Sequence, residues 1–211
     1  GRRATSRRGS RTGRRPCRPR SSADRRPPAG WYLDEALATF ADEPLESAAG
    51  ALKALAKDGV EVKILTGDNE LVARHVCQQV GLTTDKIVLG DEIERMTDSA
   101  LAHVAESVSI FARVSPMQKN RILTALKSRG HVVGYLGDGI NDAPALALAH
   151  VGFALGTGTD VAIESADITL MRGTLHGVAD AIEISAATMR NIRQNLFGAF
   201  IYNAVGIPIA A

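Results

Sequence analysis

The stretch HVVGYLGDGINDAPAL, residues 131–146, decides the fold of this chain. Its first six residues are nearly all apolar, as expected for a central strand that is buried on both faces of a sheet. They lead directly into a turn that is rich in glycine and aspartate. In open parallel sheets, ligands bind at the carboxyl ends of the strands. The stretch therefore predicts an α/β fold with a ligand site at this turn.

On both sides of this stretch, helical patterns alternate with short β-rich runs. Such alternation is typical of βα units and of a mostly parallel sheet with flanking helices. The helix that begins at Ser115-Pro116 has proline at its first position, where the missing N–H costs nothing. The pattern predicts helices at 45–57, 70–80, 98–107, 116–129, 160–166 and 174–195, and strands at 60–65, 86–89, 109–112, 131–136, 151–155 and 167–171.

The charge of the chain is unevenly distributed. Residues 1–30 contain eleven arginines and one acidic residue, so the overall net charge of +2 leaves −8 on the remainder. The arginine-rich tail contains no leucine, isoleucine, valine or phenylalanine and is predicted to be disordered, although a nucleic-acid-binding arm or a transit peptide has a similar composition. Because residues 31–211 are acidic, the positive overall charge is not evidence for a nucleic-acid partner. Cys17 and Cys77 suit neither a disulfide framework nor a metal-binding pair, which favours a reducing compartment.

Three polar motifs lie at predicted strand ends or helix starts. Asp138 and Asp142 are four residues apart across a glycine-containing turn, so both carboxylates could face one Mg²⁺, which commonly takes one or two carboxylates and a phosphate oxygen. Thr66 in TGDN offers a hydroxyl and backbone N–H groups to an anion, and Lys119 offers a cation to the same anion. Singly, each motif has a structural alternative: a solvated turn, a helix cap or a surface lysine. Together they supply the charge stabilisation that phosphoryl transfer needs.

The carboxyl-terminal segment, residues 196–211, contains no charged residue. It is shorter than the about 20 residues that cross a bilayer, and an apolar run of this length is also compatible with a buried core helix. Arg190 and Arg193 directly precede it, which favours insertion from the cytoplasmic side. We therefore expect an amphipathic helix at 174–195 that continues into the start of a transmembrane helix.

The motifs TGDN (66–69), SPMQK (115–119) and GDGINDAPAL (137–146) resemble, in order and approximate spacing, the signatures of the phosphorylation domain of P-type ATPases. These pumps belong to the haloacid dehalogenase-like superfamily, and the resemblance covers about residues 40–211. It implies a Rossmann-like parallel sheet with flanking helices. It divides the chain into a disordered tail (1–30), a partial phosphorylation domain (31–173), a stalk helix (174–195) and a truncated transmembrane helix (196–211).

The resemblance also implies roles for individual residues. Thr66 would bind the transferred phosphoryl group, and Lys119 would neutralise its oxygens. Asp138 and Asp142 would hold Mg²⁺ or its liganding water. The implied cofactors are Mg²⁺ and ATP, and the implied partners are the nucleotide-binding, actuator and membrane domains of a pump. The nucleotide- and phosphate-binding set further includes Gly67, Asp68 and Asn141.

Different parts of the chain resemble two different classes of pump. Residues 60–136 look most like magnesium-transporting pumps, whereas the sequence from Val151 onward looks like copper-exporting pumps. In the copper class a Tyr-Asn pair in the helix that corresponds to 196–211 belongs to the transmembrane metal site, which would make Tyr202 and Asn203 ligands of the transported ion. An interfacial tyrosine and an asparagine that hydrogen-bonds between helices are the alternative. Because the tail contains the ion-facing segment, we expect a membrane pump that exports Cu⁺, with a magnesium pump as the alternative.

The nucleophile of the family is missing from the sequence before these motifs. Residues 1–65 contain no Asp-Lys-Thr-Gly-Thr and no Asp-x-Asp stretch. We therefore expect that this chain alone does not autophosphorylate. A soluble phosphatase of the same superfamily, which would need an Asp-x-Asp nucleophile and a polar carboxyl terminus, and a remnant that only binds Mg²⁺ and phosphate are the competing functions.

Overall fold

The structure is a computed structural model and describes residues 29–34, 45–82 and 86–210. The described residues form seven strands, which are β1 (Ala29–Asp34), β2 (Val60–Leu65), β3 (Ile87–Leu89), β4 (Ile110–Ala112), β5 (Val132–Gly137), β6 (Val151–Leu155) and β7 (Ile168–Leu170). They make one sheet in the order β3-β4-β2-β1-β5-β6-β7. All adjacent pairs are parallel, so the carboxyl ends of the strands share one edge. The α/β prediction is confirmed.

The helices connect successive strands across the two faces of the sheet. Four of them begin at a residue whose side-chain oxygen accepts a backbone N–H in the first turn, namely Asn69, Thr97, Ser115 and Thr159. The described helices are α1 (Leu45–Lys57), α2 (Glu70–Gln79), α3 (Gly90–Arg95), α4 (Asp98–Ser107), α5 (Pro116–Ser128), α6 (Ala143–Leu148), α7 (Asp160–Ser165) and α8 (His176–Ala210), and a 3₁₀ turn covers Ile140–Asp142.

Each face of the sheet buries its own apolar layer. Along β5, Val133 and Tyr135 point into the layer under α4, α5 and α6, whereas Leu136 points into the layer under α1 and α8. All three side chains are at most 3% exposed. The near-continuous apolar run at 131–136 is therefore explained by burial on both faces, as the sequence predicts.

The amino-terminal edge of the sheet carries an ion-pair cluster. The Glu106 carboxylate accepts hydrogen bonds from Arg129 (Nε 3.0 Å, Nη2 2.9 Å) and lies 2.8 Å from His131 Nε2. These bonds, first from Arg129 and then from His131, lower the pKa of Glu106 to about 2. Nearby, the buried Lys63 ammonium donates to the carbonyls of Glu106 (3.1 Å) and Val108 (2.9 Å) at the end of α4. This edge is held together by charge-assisted hydrogen bonds.

Cys77 lies on the buried face of α2 and packs into the layer under α1. Burial raises the pKa of its thiol to about 11. A neutral, fully buried thiol of this kind is a packing group, which agrees with the absence of a cysteine motif in the sequence.

Helix α8 is about 52 Å long if regular, and only its first turns pack on the domain. Leu175, Val178 and Ala179 are buried near its start, whereas Leu196 and Phe200 are more than half exposed. It continues without a break through residue 195, where the sequence predicts a change from stalk to membrane helix. Within the part of the chain that the structure describes, no helix is both long enough and apolar enough to span a membrane.

Three features differ from the sequence predictions. Strand β1 is not predicted by the sequence, and its first two residues, Ala29 and Gly30, belong to the expected disordered tail 1–30. The rest of that tail lies outside the described residues. Helix α3 was also not predicted, because its six residues are too few to show a helical period. The short strands predicted at 86–89 and 109–112 contain three paired residues each.

Candidate functional site

The predicted site residues collect at the carboxyl edge of the sheet. Thr66 directly follows β2, and Asp138 directly follows β5. These two strands flank β1, which pairs with both, Asp34 opposite Leu65 and Leu33 opposite Leu136. Thr66 and Asp138 therefore stand on either side of the central strand, at the position where parallel α/β sheets bind ligands.

Lys119 and Asp142 form a buried ion pair in this site. Their atoms Nζ and Oδ1 are 3.2 Å apart, and the two residues are 1% and 0% exposed. Lys119 lies in the second turn of α5, where the reciprocal capping bonds of Ser115 and Gln118 fix the start of the helix. Because Lys119 is buried, the alternative of a solvated surface lysine is excluded. A charged side chain is rarely buried unless it is paired.

Hydrogen bonds hold both oxygens of the Asp142 carboxylate. Its Oδ1 accepts from Lys119 and from the hydroxyl of Tyr135 (3.0 Å), and its Oδ2 accepts from the backbone N–H of Gly139 (3.1 Å). A Cβ on Gly137 would lie 2.6–2.9 Å from atoms of the Asp142 side chain. Residue 137 must therefore be glycine if the carboxylate is to keep this position.

The Thr66 loop is fixed by the neighbouring strand β4. Thr66 is fully buried; its N–H donates to Phe111, its carbonyl accepts from Val114, and its hydroxyl accepts from the N–H of Asp68. The N–H of Arg113 donates to the carbonyl of Asp68. The turn that carries Thr66 is thus tied to the loop that precedes α5 and Lys119.

Asp138 is fixed through its backbone. Its carbonyl accepts hydrogen bonds from the N–H (2.9 Å) and the hydroxyl (3.3 Å) of Thr159, at the start of α7. Gly158 lies so close that an added Cβ would be 2.8 Å from the same carbonyl oxygen. The loop after β6 therefore sets the position of Asp138. The residue itself is partly exposed.

Of the other predicted residues, three lie at this edge of the sheet and two lie far from it on α8. Gly67, Asp68 and Asn141 are exposed on the same edge as Thr66 and Asp138. Tyr202 and Asn203 lie on the exposed far part of α8, and Tyr202 is 77% exposed. Neighbouring helical positions point about 100° apart, so these two side chains face different directions from the helix axis.

The donor set at the carboxyl edge suits a small hard cation together with an anion. Asp138 and Asp142 supply carboxylate oxygens, the ligands that Mg²⁺ prefers, and Mg²⁺ usually keeps several waters. Among the described residues, no group of three or more histidine, cysteine, aspartate or glutamate side chains could hold a metal ion. Water and a phosphate oxygen would complete the coordination of a Mg²⁺ ion held by Asp138 and Asp142.

Sequence reasoning missed three residues that build the site. Tyr135 was predicted only as an apolar strand residue, and Thr159 was not singled out. Arg113 has a left-handed backbone, with φ of 54°, which costs a residue with a Cβ roughly 1–2 kcal/mol. Its carbonyl packs so closely against Gly90 that a Cβ added there would overlap the carbonyl oxygen. Thr159 and Arg113 contact residues more than 20 positions away, and the seven-residue step from Tyr135 to Asp142 crosses from a strand into a turn, so no local period indicates these contacts.

Comparison with known proteins agrees with this geometry. The family model of haloacid dehalogenase-like hydrolases matches residues 18–150. A magnesium-transporting ATPase, P-type 1, of Escherichia coli is 47% identical over 158 residues, which are 75% of this chain and 18% of that protein. A probable copper-transporting ATPase PacS of Synechococcus elongatus is 46% identical over 177 residues, 84% of this chain and 20% of that protein.

A solved structure of a metal-transporting ATPase is also similar to this chain. The crystal structure of a zinc-transporting PIB-type ATPase superposes with a TM-score of 0.56 and 33% identity, over 76% of this chain and 23% of that one. The chain spans about a fifth of the length of the curated relatives that it matches. Its homologues are P-type ATPases, and the chain belongs to the haloacid dehalogenase-like hydrolase family.

Proposed function

We propose that this chain is the phosphate- and Mg²⁺-binding part of the phosphorylation domain (31–173) of an ATP-driven cation pump. The observation that carries the proposal is the buried pair of Lys119 and Asp142, with 3.2 Å between its charged atoms, at the sheet edge that also holds Thr66 and Asp138. Burying a lysine is costly unless its charge is paired, and in this proposal the ammonium both pairs with Asp142 and binds the anion.

Each residue has a role in this proposal. Thr66 offers its hydroxyl to a phosphoryl oxygen, and Lys119 donates an N–H to the same group while it remains paired with Asp142. Asp138 and Asp142 hold Mg²⁺ or its water, and the ion supplies charge neutralisation for the phosphoryl oxygens. Gly67, Asp68 and Asn141, exposed on this edge, contact the phosphate or the nucleotide.

A titration of the whole chain with Mg²⁺ and with orthophosphate, followed by NMR, tests the local part of the proposal. Mg²⁺ is expected to shift the amide signals of residues 137–142, and orthophosphate those around Thr66. Asp138→Asn should weaken Mg²⁺ binding at least about tenfold, because one of two carboxylates is lost. Asp180→Asn, the same change on the exposed surface of α8, is the control. Unchanged Mg²⁺ binding in Asp138→Asn would contradict the assignment.

We further propose that the transported ion is a soft heavy metal such as Cu⁺. The match to the copper-transporting relative covers 84% of the chain, against 75% for the magnesium-transporting relative. Tyr202 and Asn203 are the proposed ion ligands on α8. An in-frame Asp-Lys-Thr-Gly-Thr in the coding DNA before this segment, with Cys-Pro-Cys in the span before it, is the expected finding. An intact Asp-Lys-Thr-Gly-Thr without Cys-Pro-Cys would favour the magnesium pump.

A membrane location for the parent protein is part of the same proposal. Large apolar side chains stay exposed along the far part of α8, and they include Leu196, Phe197, Phe200, Ile201, Val205 and Ile207. Exposed apolar surface of this extent marks an interaction with lipid or with other helices. We propose that residues 174–195 form the stalk, that 196–211 begin a membrane helix, and that the remaining domains of the pump are the partners.

A further inference from the structure

Tyr135 is a buried strand residue whose hydroxyl reaches into the candidate site. The residue is 0% exposed, and its ring packs in the apolar layer under α4, α5 and α6. The hydroxyl donates to Asp142 Oδ1 at 3.0 Å. A buried tyrosine hydroxyl needs a partner, and here an acidic residue of the candidate site accepts its hydrogen bond.

The hydroxyl and the Lys119 ammonium share one oxygen of Asp142. Lys119 Nζ is 3.2 Å from Oδ1, and the N–H of Gly139 lies 3.1 Å from Oδ2. An ammonium group has three donor hydrogens on a flexible stem, whereas the phenol is carried by a rigid ring. The ring is fixed by the core around it, so the phenol has less freedom to move than the ammonium that donates to the same oxygen.

We propose that Tyr135 is a positioning residue for the phosphate and magnesium site, an inference that rests on the function proposed above. Its hydroxyl fixes the Asp142 carboxylate, so that this carboxylate keeps its place when Lys119 shares its hydrogens with a bound phosphoryl oxygen. It thereby keeps Lys119 and the turn of Asp138 at the spacing that one anion and one cation require. Phenylalanine would fill the same volume in the core but would not hold the carboxylate.

Tyr135→Phe in the whole chain separates the hydroxyl from the ring. Binding of Mg²⁺ and of orthophosphate, measured by NMR titration, is expected to weaken about three- to tenfold, the size of one typical hydrogen bond, because the hydroxyl acts on the ligands only through Asp142. The amide signal of Gly139 is expected to move even without ligand, because this N–H contacts the other oxygen of Asp142. Thr188→Val, which removes a hydroxyl that donates to a carbonyl within α8, should leave all three measurements unchanged.

A second background shows whether Tyr135 acts through Asp142. In Asp142→Ala the oxygen that accepts from the phenol is gone, so adding Tyr135→Phe should cost little further unfolding free energy, whereas the same change in the unsubstituted chain should cost a measurable amount. An equal effect of Tyr135→Phe in both backgrounds overturns the inference, as does unchanged binding by a folded Tyr135→Phe protein. If the unsubstituted chain binds neither probe, the proposed function itself fails.

A measurement on the unsubstituted chain covers the case in which Tyr135→Phe does not fold. A phenol proton that is buried and bonded to a carboxylate exchanges slowly with water and is visible by NMR. Its detection, with a nuclear Overhauser contact to the Asp142 side chain, supports the inference. Rapid exchange of this proton in the folded protein overturns it.

Discussion

Replacing Lys119 with methionine tests whether the buried ion pair organises the site. The Lys119 ammonium lies 3.2 Å from Asp142 Oδ1, and Lys119 and Asp142 are 1% and 0% exposed. Methionine retains most of the aliphatic stem and removes only the charge. The packing of α5 on the sheet should therefore change little, so the measured difference reports the electrostatic interaction.

The expected loss follows from what Asp142 retains. Removing one partner of a buried pair costs about 3–5 kcal/mol, because the other charge stays buried without it. Asp142 still accepts hydrogen bonds from Tyr135 and Gly139, so we expect the lower end, about 3 kcal/mol of unfolding free energy. The same substitution at the exposed Lys53 should change stability by no more than about 0.5 kcal/mol.

Equilibrium unfolding in urea, followed by far-UV circular dichroism, measures both variants with a common slope. Lys119→Met should also lose orthophosphate binding, which Lys53→Met should keep. Adding Asp142→Asn to Lys119→Met should recover part of the lost stability, because it removes the remaining buried charge. Equal stability of the Lys119→Met and Lys53→Met proteins would refute the reasoning that removing the ammonium leaves an uncompensated buried carboxylate at Asp142.

Three further predictions concern other parts of the fold. Gly137→Ala should destabilise the chain by about 2 kcal/mol or more and weaken Mg²⁺ binding, because its Cβ would meet the Asp142 side chain at 2.6 Å. At Gly59 no atom lies within 4 Å of an added Cβ and φ is +79°, so alanine there should cost only the roughly 1–2 kcal/mol of backbone strain. Urea unfolding of the two variants compares these costs. The pKa of Glu106 is lowered to about 2, below its ordinary 4.5, so its contribution to stability is complete above pH 4.5 and disappears as the pH falls towards 2. Glu106→Gln should therefore unfold at a lower temperature than the unsubstituted chain at pH 6, and this difference should narrow between pH 4.5 and 2. A difference that stays constant with pH would contradict the assignment. Cys77 is buried with a pKa of about 11, so in a Cys17→Ser background a thiol reagent at pH 8 should react only after denaturant is added, and fast reaction of the native protein would show that the thiol is accessible.

Much of the fold was predictable from local patterns, and the same patterns predict which residues form the candidate site. The apolar run before Gly137 predicted a central strand, and the glycine-aspartate turn predicted a site at its end; both are local properties of side-chain period and turn chemistry. Lys119 was predicted as part of the site only from the order of three motifs. Its burial could not be predicted, since a lysine at the start of a helix usually faces solvent.

Other features depended on contacts between distant segments. Strand β1 occupies the centre of the sheet, yet its sequence, AGWYLD, shows no clear alternation. The short helix α3 receives hydrogen bonds from a distant helix: Gln118 donates to the carbonyl of Gly90, and Arg121 donates to the carbonyl of Ile93. The hydrogen bond from Thr159 to Asp138 joins residues 21 apart. Such contacts have no local signature, because each partner alone is compatible with an ordinary turn or loop.

The sequence by itself determined the class of the protein: a parallel α/β sheet with threonine, lysine and two aspartates placed after strands and at a helix start. Periodicity and turn chemistry act over a few residues, so they can be read directly from the chain. Only the tertiary structure decided how these residues interact. Packing two apolar layers against one sheet brings Tyr135 and Lys119 to the same oxygen of Asp142. Because the Asp142 carboxylate is removed from water, its position and stability depend on these protein hydrogen-bond donors.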